Sequence, residues 1–323
     1  MLNNFNMFKL TKSFKNIIDN LWPSNRYNIN LDKNENNDYY NPVEFQNKLS
    51  SMKFKSYNKN NECKDLIEFI LMNLHDELNK KDINNNSILM QSNNNYIMDK
   101  SNQNLMLSIF VQQFMNNNKS IISDLFYWTN QIIIQCMNCG IKSYEYQKNS
   151  VLIFSMEEIY KYKYNFNQNM INMSINQNLI NIFDCFDFYQ RTETMIGEDA
   201  IPCNYCKNIC NSNYTCYIYT SPEIFILILD KPKNSNVKLQ FFEELNLSNY
   251  ILFNKIGCQY RLFGVVSETN ERNGHFISYV RNPIDCRWYK YDDEYVYPIN
   301  NFTIEVIDSS NPCVLFYQKI SYN

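Results

Sequence analysis

Long apolar runs are missing from this sequence. The longest β-like one, Ile224 to Leu229, falls far short of the ~20 residues that a membrane-spanning helix needs, so no membrane segment is expected. Positive charge is not in excess either. The 30 Lys and Arg stand against 33 Asp and Glu, and a net charge of −3 gives no electrostatic case for nucleic acid. Residues 1–10 lack the continuous apolar core of a signal peptide. Glycine is scarce, at five, and alanine occurs once, at Ala200, amid abundant Asn, Lys, Ile and Tyr. That skew fits AT-rich coding DNA, so propensity arguments built on Asn carry little weight. The 11 cysteines are too sparse for a disulfide scaffold, and four of them form two Cys-x-x-Cys pairs. Reduced thiols and a bound metal are expected, and with them an intracellular compartment.

What is present falls into helical, then β-rich, stretches. Leu10, Phe14, Ile17, Ile18 and Leu21 recur at helical spacing ahead of Pro23. A short amphipathic piece runs from Pro42 to Leu49, and a longer helix from about Asn61 to Leu78 buries Ile67, Ile70, Leu71, Leu74 and Leu78. Polar tracts at Asn25 to Asn41, Asn84 to Asn95 and Asn116 to Asn118 read as loops, and Leu105 to Phe114 shows no decisive period. Strands are expected at Gln131 to Gln135, Tyr214 to Tyr219, Pro222 to Leu229, Phe241 to Leu247, Tyr260 to Val266 and Pro312 to Tyr317. The unbroken apolar run of the third suits a central strand buried on both faces.

Two constellations carry chemistry. Gln131 to Gln135 leads into Cys136-Met-Asn-Cys139, and Cys203-Asn-Tyr-Cys206 follows much later. Thiolates two residues apart on a tight turn can share a tetrahedral Zn²⁺, and two such turns complete a closed, structural Cys₄ site with no position open for catalysis. Cys210 and Cys216 lie near enough to substitute, but spacing favours the first four. The second constellation is Gly274-His275-Phe276 through Tyr279, a turn at Arg281 to Cys286, then Trp288-Tyr289-Lys290-Tyr291-Asp292-Asp293. A hairpin symmetric about that turn sets Tyr279 opposite Trp288 and His275 opposite Asp292, close enough for the acid to orient the imidazole.

The histidine string closely resembles the histidine box of the ubiquitin-specific proteases, papain-like cysteine hydrolases that remove ubiquitin. The resemblance implies an α+β fold of thumb, palm and zinc-binding fingers, with His275 as general base, Asp292 as its orienter and Asp293 as a neighbouring acid. It spans roughly residues 10 to 318 of a single domain covering 1–323: an incomplete helical thumb over 10–115, fingers over 125–220 and a β palm over 221–318. Between the cysteine pairs, Leu179, Ile182, Phe183 and Phe186 would supply the short helix of the fingers. Asp65-Leu-Ile-Glu68-Phe resembles the segment whose acid meets ubiquitin's basic tail, which assigns that contact to Asp65, aided by Glu68. His75 matches a position without a catalytic role and is read as a surface residue. Ubiquitin or its conjugates are the implied partner, and the cytoplasm or nucleus of a eukaryote the implied location.

One part is absent. Relatives carry the nucleophile in a Gly-Asn-Thr-Cys-Tyr-type box with an oxyanion-hole Asn, and no such box occurs in these 323 residues. The chain is expected to begin after it and, as written, not to cleave conjugates. Cys63, beside Glu62, has no evident activating neighbour. Two readings follow: a thiol-dependent deubiquitinase lacking its N-terminal part, or an inactive ubiquitin-binding pseudoenzyme.

Overall fold

In the computed structural model the described residues are 9–21, 40–52, 54, 62–80, 100–165, 178–232, 235–253, 257–269 and 274–320. The tract 84–95 and nearly all of 25–41 lie outside them. The chain divides into two compact units, Met1–Lys80 with Lys119–Ile122, and Lys81–Asn118 with Ser123–Asn323. No described helix is long and apolar enough to cross a membrane.

The first unit is helical, with α1 (Lys9–Leu21), α2 (Val43–Ser51) and α3 (Glu62–Leu78). α1 buries Leu10 completely, and its Phe14 ring meets Phe45 of α2 at 5.8 Å between centroids. The first amides of a helix have no partner within it. Here the Glu77 carboxylate accepts from Leu10 N at 3.0 Å and Thr11 N at 2.8 Å, tying α1 to α3. On α3 the stripe buries Leu71 and Leu74, and it also buries His75, at 4% exposure. The surface reading of His75 is therefore corrected. Its Nδ1 lies 2.7 Å from Ser120 Oγ and its Nε2 3.3 Å from Asn79 Nδ2, partners that make a buried imidazole tolerable.

In the second unit α4 (Lys100–Asn117) takes in Leu105 to Phe114 and most of the Asn116 to Asn118 tract, correcting the loop assigned there. Its Phe110 and Phe114 rings pack on Tyr146 and Tyr127. After α5 (Ile121–Phe126), β1 (Trp128–Cys136) and β2 (Lys142–Asn149) form an antiparallel pair, followed by β3 (Leu152–Ser155) and α6 (Met156–Asn165). Next come β4 (Leu179–Asn181) and α7 (Ile182–Tyr189). Leu179 thus belongs to a strand rather than to the helix expected to hold it. α7 starts at a capping box, in which Asn181 accepts from Phe183 N and Asp184 from Asn181 N.

The cysteine-bearing region continues through β5 (Thr192–Met195), β6 (Ile201–Cys203), β7 (Asn208–Cys210) and β8 (Ser212–Ile218). One sheet has the order β2-β1-β8-β5, and β6 and β7 pair by themselves. The remaining strands are β9 (Ile224–Asp230), β10 (Lys238–Gln240), β11 (Glu244–Asn246), β12 (Gln259–Glu268), β13 (Phe276–Arg281), β14 (Trp288–Asp292), β15 (Tyr295–Pro298) and β16 (Pro312–Lys319). They build an eight-stranded sheet, β15-β14-β13-β12-β16-β9-β3, with β11 against β12, while β10 pairs β4 separately. β9 is interior to the large sheet, antiparallel to β16 and parallel to β3, and Phe225 to Leu229 are all buried. Its continuous apolar run is the sequence trace of a strand covered on both faces. The core beside it holds Phe154, Phe186, Tyr260 and Tyr317.

Candidate functional site

The histidine hairpin is β13 and β14, and the register differs from the symmetric one. Arg281 faces Trp288, Val280 faces Tyr289 and Tyr279 faces Lys290. The six-residue loop therefore runs over 282–287, closed by Asn282 N donating to Arg287 O at 2.8 Å, with Cys286 at φ 58°. The slip is two residues along the strand pair. Because side chains alternate with period two, such a slip keeps each residue on its face, whereas a slip of one would have inverted the hairpin. His275 and Asp292 become diagonal rather than direct neighbours. The far ring nitrogen spans the diagonal, and Nε2 lies 2.8 Å from Asp292 Oδ1.

His275 sits one residue ahead of β13, its carbonyl fixed by Thr269 N at 2.9 Å. Asp292 ends β14, and its other oxygen, Oδ2, is 3.1 Å from Lys290 Nζ. Hydrogen bonds from His275 and then from Lys290 hold the Asp292 carboxyl below its usual range. An ionised Asp292 accepts the Nε2 proton, which leaves the Nδ1 lone pair as the ring's basic site. Asp293 is exposed in the two-residue turn before β15, at φ 53°, a backbone region that Asp tolerates better than most residues. Sequence reasoning passed over Lys290. The signal was its place two residues before Asp292, hence on the same face.

Asp65 and Glu68 are half-buried on α3. Burial pushes the Glu68 carboxyl up, Lys64 opposes this and Asp65 adds to it. Cys63 lies in the first turn of α3.

The four cysteines converge. Cys136 closes β1, where Gly140 N donates back to Cys136 O at 2.8 Å with Gly140 at φ 74°. Cys203 closes β6, and Lys207 N makes the equivalent bond to Cys203 O at 2.8 Å, with Lys207 at φ 59°. The two knuckles thus share one backbone design. Cys136 and Cys206 sulfurs are 3.9 Å apart and those of Cys139 and Cys203 3.7 Å, and all four Sγ lie within 4.8 Å of one another. Zinc–sulfur bonds of about 2.3 Å imply a tetrahedral edge of about 3.8 Å, so the set has the size for a bound metal. The Cys139 amide holds the Cys136 thiol down to about 6, whereas, against the pull of the Ile141 amide, burial and the neighbouring thiols push Cys139 up to about 12, as one proton-sharing set of sulfurs would. Cys210 is not among the four whose sulfurs all lie within 4.8 Å of one another, although its thiol interacts with those of Cys136 and Cys206, whereas Cys216 points its sulfur toward Tyr189 Oη at 3.7 Å.

Comparison with known proteins gives the same family as the residues. The family described as ubiquitin carboxyl-terminal hydrolase matches residues 2–317. Ubiquitin carboxyl-terminal hydrolase 4 of Vanderwaltozyma polyspora is 24% identical over 336 residues, covering 96% of this chain and 35% of that protein. Ubiquitin carboxyl-terminal hydrolase 43 of Homo sapiens is 23% identical over 169 residues, covering 42% of this chain and 15% of that protein. The chain therefore spans about a third of the length of the first relative and less of the second. With a match across nearly its whole length and a mixed α and β architecture that agrees with it, the chain belongs to the ubiquitin carboxyl-terminal hydrolase family, as a member of its ubiquitin-specific proteases.

Proposed function

We propose that this chain carries the base and orienter of thiol-dependent ubiquitin hydrolysis, directed at isopeptide bonds of the ubiquitin C-terminus. The observation that carries the reading is the 2.8 Å bond from His275 Nε2 to Asp292 Oδ1, which leaves Nδ1 to deprotonate a thiol. Asp293 is a neighbouring acid. Asp65, aided by Glu68, takes the basic ubiquitin tail through charge-assisted hydrogen bonds worth ~1.5–3 kcal/mol each. Cys136, Cys139, Cys203 and Cys206 hold one structural Zn²⁺, which would staple the two knuckles and leave no coordination position for substrate. The protein acts among intracellular ubiquitin conjugates.

A second reading is a ubiquitin-binding pseudoenzyme, since these 323 residues include no Gly-Asn-Thr-Cys-Tyr-type box. A ubiquitin with a thiol-reactive C-terminus separates the two. The 323-residue chain should bind ubiquitin without being labelled, Cys63 included. Addition of a cysteine-box segment from a relative should give labelling and turnover, both lost on His275→Ala. Failure of that addition with binding intact supports the pseudoenzyme, and absence of ubiquitin binding overturns both readings.

A further inference from the structure

We propose that Lys290 is a positioning residue that locks the rotation of the Asp292 carboxylate and so fixes the tautomer of His275. The inference rests on His275 serving as the base. Asp292 stands at the end of its strand beside an exposed turn, where a carboxylate held through one oxygen can turn about its last side-chain bond. Its Oδ1 faces His275 Nε2 at 2.8 Å, and Lys290 Nζ takes Oδ2 at 3.1 Å. With both oxygens engaged, rotation would break two charge-assisted bonds at once.

Lys290 is itself aimed. It pairs across the sheet with Tyr279 on one side and Tyr297 on the other, so its stem lies between two aromatic neighbours on the same face. The ammonium is 5.7 Å from the Tyr297 ring centroid, within range of a cation–π attraction. Tyr279 is buried and cannot yield space, whereas Tyr297 is half-exposed. Between them the ammonium reaches along the strand to Asp292 Oδ2. Lys290, Glu305 of the segment after β15 and Asp292 all act electrostatically on Tyr279. If Lys290 is lost, the carboxylate can turn away, and the ring gains access to the form protonated on Nδ1. In that form the nitrogen that should accept a proton already carries one.

The chain has only two histidines, so nitrogen-15 NMR of the imidazoles reads the tautomer directly. His275→Gln assigns the spectrum. In the unaltered protein His275 should be protonated on Nε2. In Lys290→Met, which keeps the apolar stem, the Nδ1-protonated share should rise about threefold or more, a size set by one charge-assisted bond discounted for partial exposure. Lys290→Arg should restore the original spectrum, and Lys290→Gln serves as the second neutral variant, with backbone amide spectra of β13 and β14 checking that each folds. A Lys290→Met or folded Lys290→Gln protein whose His275 keeps the unaltered tautomer overturns the proposal. The tautomer is read without ubiquitin or a nucleophile, so a failure of hydrolysis leaves this result intact, and the reverse.

Discussion

Removal of the proposed zinc should dismantle one knuckle and spare the other. Cys136 ends a nine-residue strand paired along both edges, with Trp128 and Ile132 buried. Cys203 and Cys206 belong to a hairpin of two three-residue strands, in which Ile209 is 70% exposed and Tyr205 59%. Two such strands alone are marginal at best in water. Ordering the ten residues from Ile201 to Cys210 costs on the order of 10–20 kcal/mol of backbone entropy. Its exposed apolar residues return little of that. A structural zinc contributes about 10–16 kcal/mol in zinc-finger peptides, the same order as the deficit. Chelation followed by hydrogen exchange should therefore deprotect the Lys207 amide, which now bonds Cys203 O, while Ile132 and Ile133 stay protected by their partners in β2 and β8. Metal analysis before chelation should give one zinc per chain. Purified protein without zinc, or a Lys207 amide equally protected after chelation, would refute the reasoning.

Three further outcomes follow from the geometry. Glu77→Ala leaves the amides of Leu10 and Thr11 without their acceptor and should cost about 1–3 kcal/mol, with Glu77→Gln intermediate; hydrogen exchange at those two amides is the check, and unchanged protection speaks against the cap. Gly140→Ala meets no atom within 4 Å, so its cost is backbone strain alone, about 1–2 kcal/mol, while Lys207→Gly should be neutral or stabilising at the matching position, both read by denaturant titration of the zinc-loaded protein. Burial raises the Glu68 carboxyl above its unfolded value, so the stability from burying its neutral form is present below about pH 4 and lost as pH rises through the folded value. Glu68→Gln should accordingly be more stable than the unaltered protein at pH 7 and no more stable below pH ~4, and a pH-independent difference would remove burial as the cause.

The sequence by itself determined what depends on short range. Helical spacing marked α1 and α3, and the unbroken run at Ile224 to Leu229 marked a strand covered on both faces. Each Cys-x-x-Cys turn is a local object, and period-two alternation kept His275 and Asp292 on one face even though the register was off by two residues. Tertiary structure decided the rest. The register depends on how the six-residue loop closes through Asn282 and Arg287, which alternation cannot see. His75 is buried because Ser120, 45 residues away, satisfies its ring, and Glu77 caps a helix that begins 68 residues earlier. The helix at Lys100–Asn117 has no clear stripe, and its place against β2 comes from aromatic contacts such as Phe110 with Tyr146. Lys290 was legible as a same-face neighbour of Asp292, but its aim required the tyrosines that strand pairing sets on either side. In each of these the partner is distant in sequence, so the residue's own neighbourhood carries no trace of it.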